Sequence, residues 1–126
     1  MSHLLIVALG GGAGAALRHL VNLASLRWIG PGVPAGTLTV NILGSFLMGA
    51  LIGWLAARIS GGSELRLLLA TGFLGGFTTF SAFSLEVVLM WERGQALHAL
   101  LYVLVSVLAS VLALVAGLWL TRSAFA

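Results

Sequence analysis

Four apolar stretches, near residues 4–26, 36–57, 65–91 and 96–120, fill almost the whole 126-residue chain. Each reaches the roughly 20 residues that a helix needs to cross a hydrocarbon layer of about 30 Å. Turn-forming joints separate them: Gly30-Pro31-Gly32-Val33-Pro34, Ser60-Gly61-Gly62-Ser63-Glu64 and Glu92-Arg93-Gly94. Joints this short make neighbouring helices antiparallel. Trp28, Trp54, Trp91 and Trp119 each fall near a segment end, where indole rings favour the headgroup region. The pattern predicts an all-α integral membrane protein, with four transmembrane helices in a single domain spanning 1–126.

The third stretch is irregular. If wholly helical, residues 65–91 would extend about 40 Å at 1.5 Å per residue, more than the layer they cross. Within it, Gly72-Phe73-Leu74-Gly75-Gly76-Phe77-Thr78-Thr79-Phe80-Ser81-Ala82-Phe83-Ser84 carries three glycines and four hydroxyls. Every backbone N–H and C=O in hydrocarbon needs a partner, so a tract this poor in helix formers belongs where it is buried in protein or lines a polar cavity. The composition of 75–81 predicts a helix broken near its middle, with N–H groups free for anions and carbonyls for cations. Phe77, Phe80 and Phe83 recur every three residues beside it. Such a stripe packs, and its ring edges are also positively polarised.

Composition agrees with the spans and removes other classes. At 60% hydrophobic and 7% charged residues, with a mean hydropathy of +1.15, the chain does not describe a soluble domain. There is no cysteine, hence no disulfide framework and no thiolate metal site. The net charge of +3 rests on six scattered arginines, which form no patch for nucleic acid. Residues 1–16 resemble a signal peptide only in part, because the cationic n-region is missing. Gly10-Gly11-Gly12-Ala13-Gly14-Ala15 satisfies a dinucleotide-binding spacing but lacks the acid about 20 residues on. Those glycines, and Ser45, Gly49 and Gly53, are expected instead to let helix backbones approach closely.

Arginines normally orient a membrane chain. Arg58, Arg66 and Arg122 lie on the face holding both termini; Arg27 and Arg93 lie on the other, with Arg18 inside the first helix nearer to it. So small a bias predicts insertion in both orientations, which then pair as an antiparallel homodimer. One orientation fixed by other features is the plainer alternative.

Few polar residues lie within the spans, and each is costly to desolvate. Arg18 and Glu86 are expected to pair with each other or to bond backbone groups, a structural role ahead of a direct part in transport. His3, His19 and His98 have no metal-ligand spacing. On the second helix Thr37, Asn41 and Gly44 share a face; on the fourth, Tyr102, Ser106 and Ser110 recur every four residues as a hydroxyl stripe.

These residues resemble the Fluc (CrcB) family of small fluoride channels over essentially the whole chain. The likeness rests on Gly12-Ala13-Gly14-Ala15 with Arg18, on Gly36-Thr37-Leu38 with Asn41 and Gly44-Ser45-Phe46, and on Gly72-Phe73-Leu74-Gly75-Gly76 with Thr78-Thr79-Phe80-Ser81. The resemblance implies a dual-topology antiparallel dimer with two fluoride pores and a structural sodium ion at its centre. By the same resemblance, Gly75 and Thr78 of both subunits offer backbone carbonyls to sodium, and Asn41, Phe80, Ser81, Phe83, Tyr102, Ser106 and Ser110 line each pore. Arg18 and Glu86 match charged positions of the family pattern. Ala82 stands where the family often has Thr, which removes a hydroxyl near the pore.

The implied substrate suits the residues. Fluoride is small and strongly hydrated, so stripping its water takes closely placed donors, while a fixed cation in the pore would hold it too tightly to leave. The expected activity is passive fluoride export across the cell (inner or plasma) membrane, without enzymatic chemistry, giving fluoride resistance. The alternative is a proton-coupled small multidrug transporter of dual topology. Those carry an essential acid in the first helix, and this first helix has none. A non-transporting helical subunit of a larger complex is the third possibility.

Overall fold

A computed structural model describes residues 2–58 and 63–124, and the regular structure among them is entirely helical. Four stretches are long and apolar enough to cross a membrane: Ser2–Trp28, Ala35–Ala56, Ser63–Glu92 and Ala96–Ala124. They match the four expected stretches to within four residues at each end. Residues 60–62 of the second joint lie outside the described residues.

The first span is α1 (Ser2–Trp28) and the second is α2 (Ala35–Ala56). Between them the chain turns at Gly30, whose φ of 101° suits a residue without a Cβ. The third span is composite. It starts as α3 (Ser63–Arg66), widens into a π-helical segment Leu67–Leu74, and resumes as α4 (Gly75–Phe77). In the widened part hydrogen bonds reach five residues back, as Gly75 N–H does to the Ala70 carbonyl. Residues 78–80 are not helical, and Thr78 is extended at φ −86°, ψ 159°. Helix α5 (Ser81–Glu92) completes the span. Gly94, at φ 77°, closes α5 while Gln95 N–H bonds the Met90 carbonyl, and α6 (Ala96–Ala124) follows.

Glycines decide which helices meet most closely. Gly10 and Gly14 of α1 lie against the backbone of Leu68, Phe73 and Phe77, so α1 runs parallel to the π segment and α4. Gly49 of α2 meets Leu114 and Leu118, while Gly117 of α6 meets Phe46 and Ala50; these two helices are also parallel. In lipid, helices gain little from hiding apolar surface from one another, so contact is closest where small residues admit another backbone. The glycine spacing noted in the sequence marks these seams. A buried cluster of Phe83, Met90, Ala99 and Tyr102 joins α5 to α6, with Leu38 of α2 against it. Most large side chains point outward, including Trp28, Trp91 and Trp119 near span ends.

Candidate functional site

The shared face of Thr37, Asn41 and Gly44 turns toward the third span. Gly44 lies against the Thr78 methyl and the Phe77 ring, a proximity that leaves no room for a Cβ. One turn away, Asn41 meets Thr79 twice. Its Nδ2 donates to the Thr79 carbonyl at 2.9 Å, and its Oδ1 accepts the Thr79 N–H at 2.8 Å. The extended conformation at Thr78 turns this peptide sideways, so a side-chain amide replaces the helical partners it would otherwise have. Just beyond, Ala82 N–H donates to Thr79 Oγ1 at 3.2 Å. Thr78 turns inward, its N–H and Oγ1 both donating to the Leu74 carbonyl at 3.0 and 2.9 Å. Arg18 caps the same region, its Nε donating to the Gly76 carbonyl at 3.1 Å.

Beside this tract a cleft of about 420 Å³ opens between α2, the 78–80 stretch, α5 and α6. Asn41, Phe80, Phe83, Ser106 and Ser110 line it, together with Thr78 and Thr79. Ser106 is buried, and its Oγ has no hydrogen-bond partner among the described residues, which leaves an unsatisfied polar atom in the cleft wall. Ser110, one turn along, is half-buried. The rings form a chain: Phe80 to Phe83 at 5.5 Å between centroids, then Phe83 to Tyr102 at 5.2 Å. Phe83 is buried, whereas Phe80 is 77% exposed and projects from the protomer. Ser81 is exposed and lies outside the cleft lining, 3.4 Å from Thr79 Oγ1.

Tyr102 also lies outside the cleft lining, because its hydroxyl is committed elsewhere. It donates to Glu86 Oε1 at 2.8 Å, while Thr37 Oγ1 donates to Oε2 at 3.0 Å. Glu86 therefore bonds two hydroxyls and Arg18 a backbone carbonyl; they do not form the ion pair considered from the sequence. Glu86 borders a second cavity of about 250 Å³, between the end of α1, the 31–34 turn, the start of α2 and α5, with Asn22 and Arg93 in its wall. Phe83, in the wall of the first cavity, packs on Tyr102, whose hydroxyl bonds Glu86 in the wall of the second.

Gly75 is exposed and Thr78 half-buried. A helix would direct Thr79 N–H to the Gly75 carbonyl and Ala82 N–H to the Thr78 carbonyl. Asn41 and Thr79 Oγ1 take those donors instead. Among the described residues no group of three His, Cys, Asp or Glu could hold a metal ion. The sequence reading passed over Thr79, which organises the tract, and Asn22 and Arg93 in the second cavity. For Asn22 a signal existed: an amide inside an apolar span is costly unless partnered.

The family described as "CrcB-like protein, Camphor Resistance (CrcB)" matches residues 5–118. A protein of Chelativorans sp. (strain BNC1) is 58% identical over 123 residues, covering 98% of both chains. One of Mesorhizobium japonicum is 54% identical over 123 residues, again covering 98% of each. A third, from Caulobacter vibrioides, is 50% identical over 127 residues and the full length of both. All three carry the name fluoride-specific ion channel FluC.

Proposed function

The chain belongs to the CrcB-like family, and from that membership we propose that it is a multi-pass fluoride channel, selective for its ion and passively exporting it across the cytoplasmic membrane. The observation that carries this reading is the cleft of about 420 Å³, whose polar lining is uncharged and whose buried Ser106 hydroxyl lacks a partner among the described residues. Hydroxyls, one amide and ring edges attract a dehydrated anion without the grip of a fixed cation, as conduction requires. The anion path runs past Phe80, Ser81, Phe83 and the Asn41 amide, then along Ser106 and Ser110, with Tyr102 at the junction to the second cavity.

We read residues 78–80 as a functional break in the third span. Irregular backbone facing lipid is not tolerated, and in one protomer Gly75, Phe80 and Ser81 are exposed beside it. A second copy in antiparallel orientation covers this face, which makes the working unit a dual-topology homodimer with two pores. A sodium ion at the dimer centre fits the same tract, since the Gly75 and Thr78 carbonyls have lost their helical donors. When bound, sodium supplies positive charge to these oxygens and ties the two protomers together.

The test is ion efflux from liposomes holding the purified protein. Fluoride leaves rapidly and chloride negligibly; comparable chloride movement overturns the selectivity. Residues that shape the cleft are then sorted by flux measurements on single variants.

A further inference from the structure

The cleft and the cation site share one side chain. An asparagine amide presents an acceptor and a donor side by side, and Asn41 spends them on the N–H and C=O of the same residue, Thr79, at 2.8 and 2.9 Å. The pairing copies what a neighbouring β-strand does for a residue, but with a side chain. Its effect is felt four residues back. With Thr79 N–H held by Asn41, the Gly75 carbonyl has lost the donor a continuous helix would give it.

We propose that Asn41 is the residue that keeps the cation site open. By withholding Thr79 N–H from Gly75, it leaves the Gly75 oxygen for the ion, and so acts as a positioning residue for sodium as well as a wall of the anion cleft. Without it the nearest recipient for the Thr79 N–H along the chain is the Gly75 carbonyl. Helix α4 then extends and the oxygen turns into its own hydrogen bond. The inference rests on the reading of the tract as a dimer-centred sodium site.

The experiment follows dimer fraction in detergent while sodium chloride is exchanged for N-methylglucamine chloride at constant ionic strength. Wild-type dimer persists to low sodium and dissociates below a midpoint concentration. Asn41→Ala raises that midpoint about tenfold or more, the scale of one hydrogen bond redirected in a site. Asn41→Asp keeps an oxygen to accept Thr79 N–H while placing an acid in the cleft. It stays within about threefold of the wild-type midpoint, clearly short of the tenfold shift, yet conducts poorly. Phe83→Ile, which alters the cleft wall without removing a hydrogen-bond partner of Thr79, lowers flux and leaves the midpoint in place. A wild-type midpoint in Asn41→Ala overturns the inference and leaves the sodium reading standing; so does Asn41→Asp shifting as far as Asn41→Ala. Wild-type dimer indifferent to sodium overturns both.

Discussion

Phe80 and Phe83 touch, yet they differ in what a substitution disturbs. Phe83 is 7% exposed and belongs to the α5–α6 cluster, so Phe83→Ile costs about 1–2 kcal/mol in repacking. Phe80 is 77% exposed, and Phe80→Ile changes protomer stability by no more than about 0.5 kcal/mol. If the ring edges serve the anion, both variants lower fluoride flux comparably despite this difference, measured on dimers recovered at equal yield. Flux that follows stability alone assigns the rings to packing. Tyr102→Phe keeps the ring contact with Phe83 and deletes the proton donated to Glu86, leaving one carboxylate oxygen short of a donor. The expected loss is about 1–3 kcal/mol in thermal or denaturant unfolding, with Glu86→Ala removing the further effect of the Tyr102 substitution. At this scale the sequence showed which residues share a helix face but not what they bond. Four-residue spacing puts Ser106 and Ser110 on one face of α6, and only the family resemblance grouped them with Asn41, beside which they line one cleft. The commitment of Tyr102 to Glu86, and of Asn41 to Thr79, depends on helices far apart in sequence, which periodicity within one helix does not encode.

Among the elements, the four spans were the most legible feature, because a run of apolar residues long enough to cross hydrocarbon has few other uses. The π-helical segment was hidden for the same reason. Leu67–Leu74 is apolar except for Thr71, and a single polar position cannot expose the change from the α-helical to the wider period. Its partner gives it away only in retrospect: α1 meets the widened helix with Gly10 and Gly14, whose missing side chains leave room for it. Gly14→Val is therefore expected to cost at least about 1–3 kcal/mol by overpacking, and to reduce the folded protein recovered from membranes. Gly12 on the same helix has open space beside it, so Gly12→Ala leaves recovery near wild type within about 0.5 kcal/mol. Equal recovery of Gly14→Val and Gly12→Ala would contradict the seam as the origin of the α1 contact.

At the scale of the whole molecule, the arginines are nearly balanced between the two ends. Arg58 lies over the Trp54 ring at 4.4 Å, so this cation and its indole anchor the same end of α2. If both orientations are needed, biasing the count abolishes flux. Arg27→Gln with Arg93→Gln leaves Arg58, Arg66 and Arg122 to fix one orientation, and Arg58→Gln with Arg66→Gln favours the other. Each pair expressed alone is expected to give little fluoride export, and the two expressed together to restore it; full export from either alone rules out the need for opposite orientations.

The seams also bear on how the chain is made. The closest contacts join α1 to the third span and α2 to α6, skipping the neighbour in sequence each time. Each of the first two helices must therefore enter the bilayer before its main partner has been synthesised. A nascent chain that has released only α1 and α2 holds Gly10, Gly14 and Gly49 uncovered, joined chiefly where Gly36 meets Asn22. The bundle closes late, when residues near Leu114 and Gly117 arrive to meet α2.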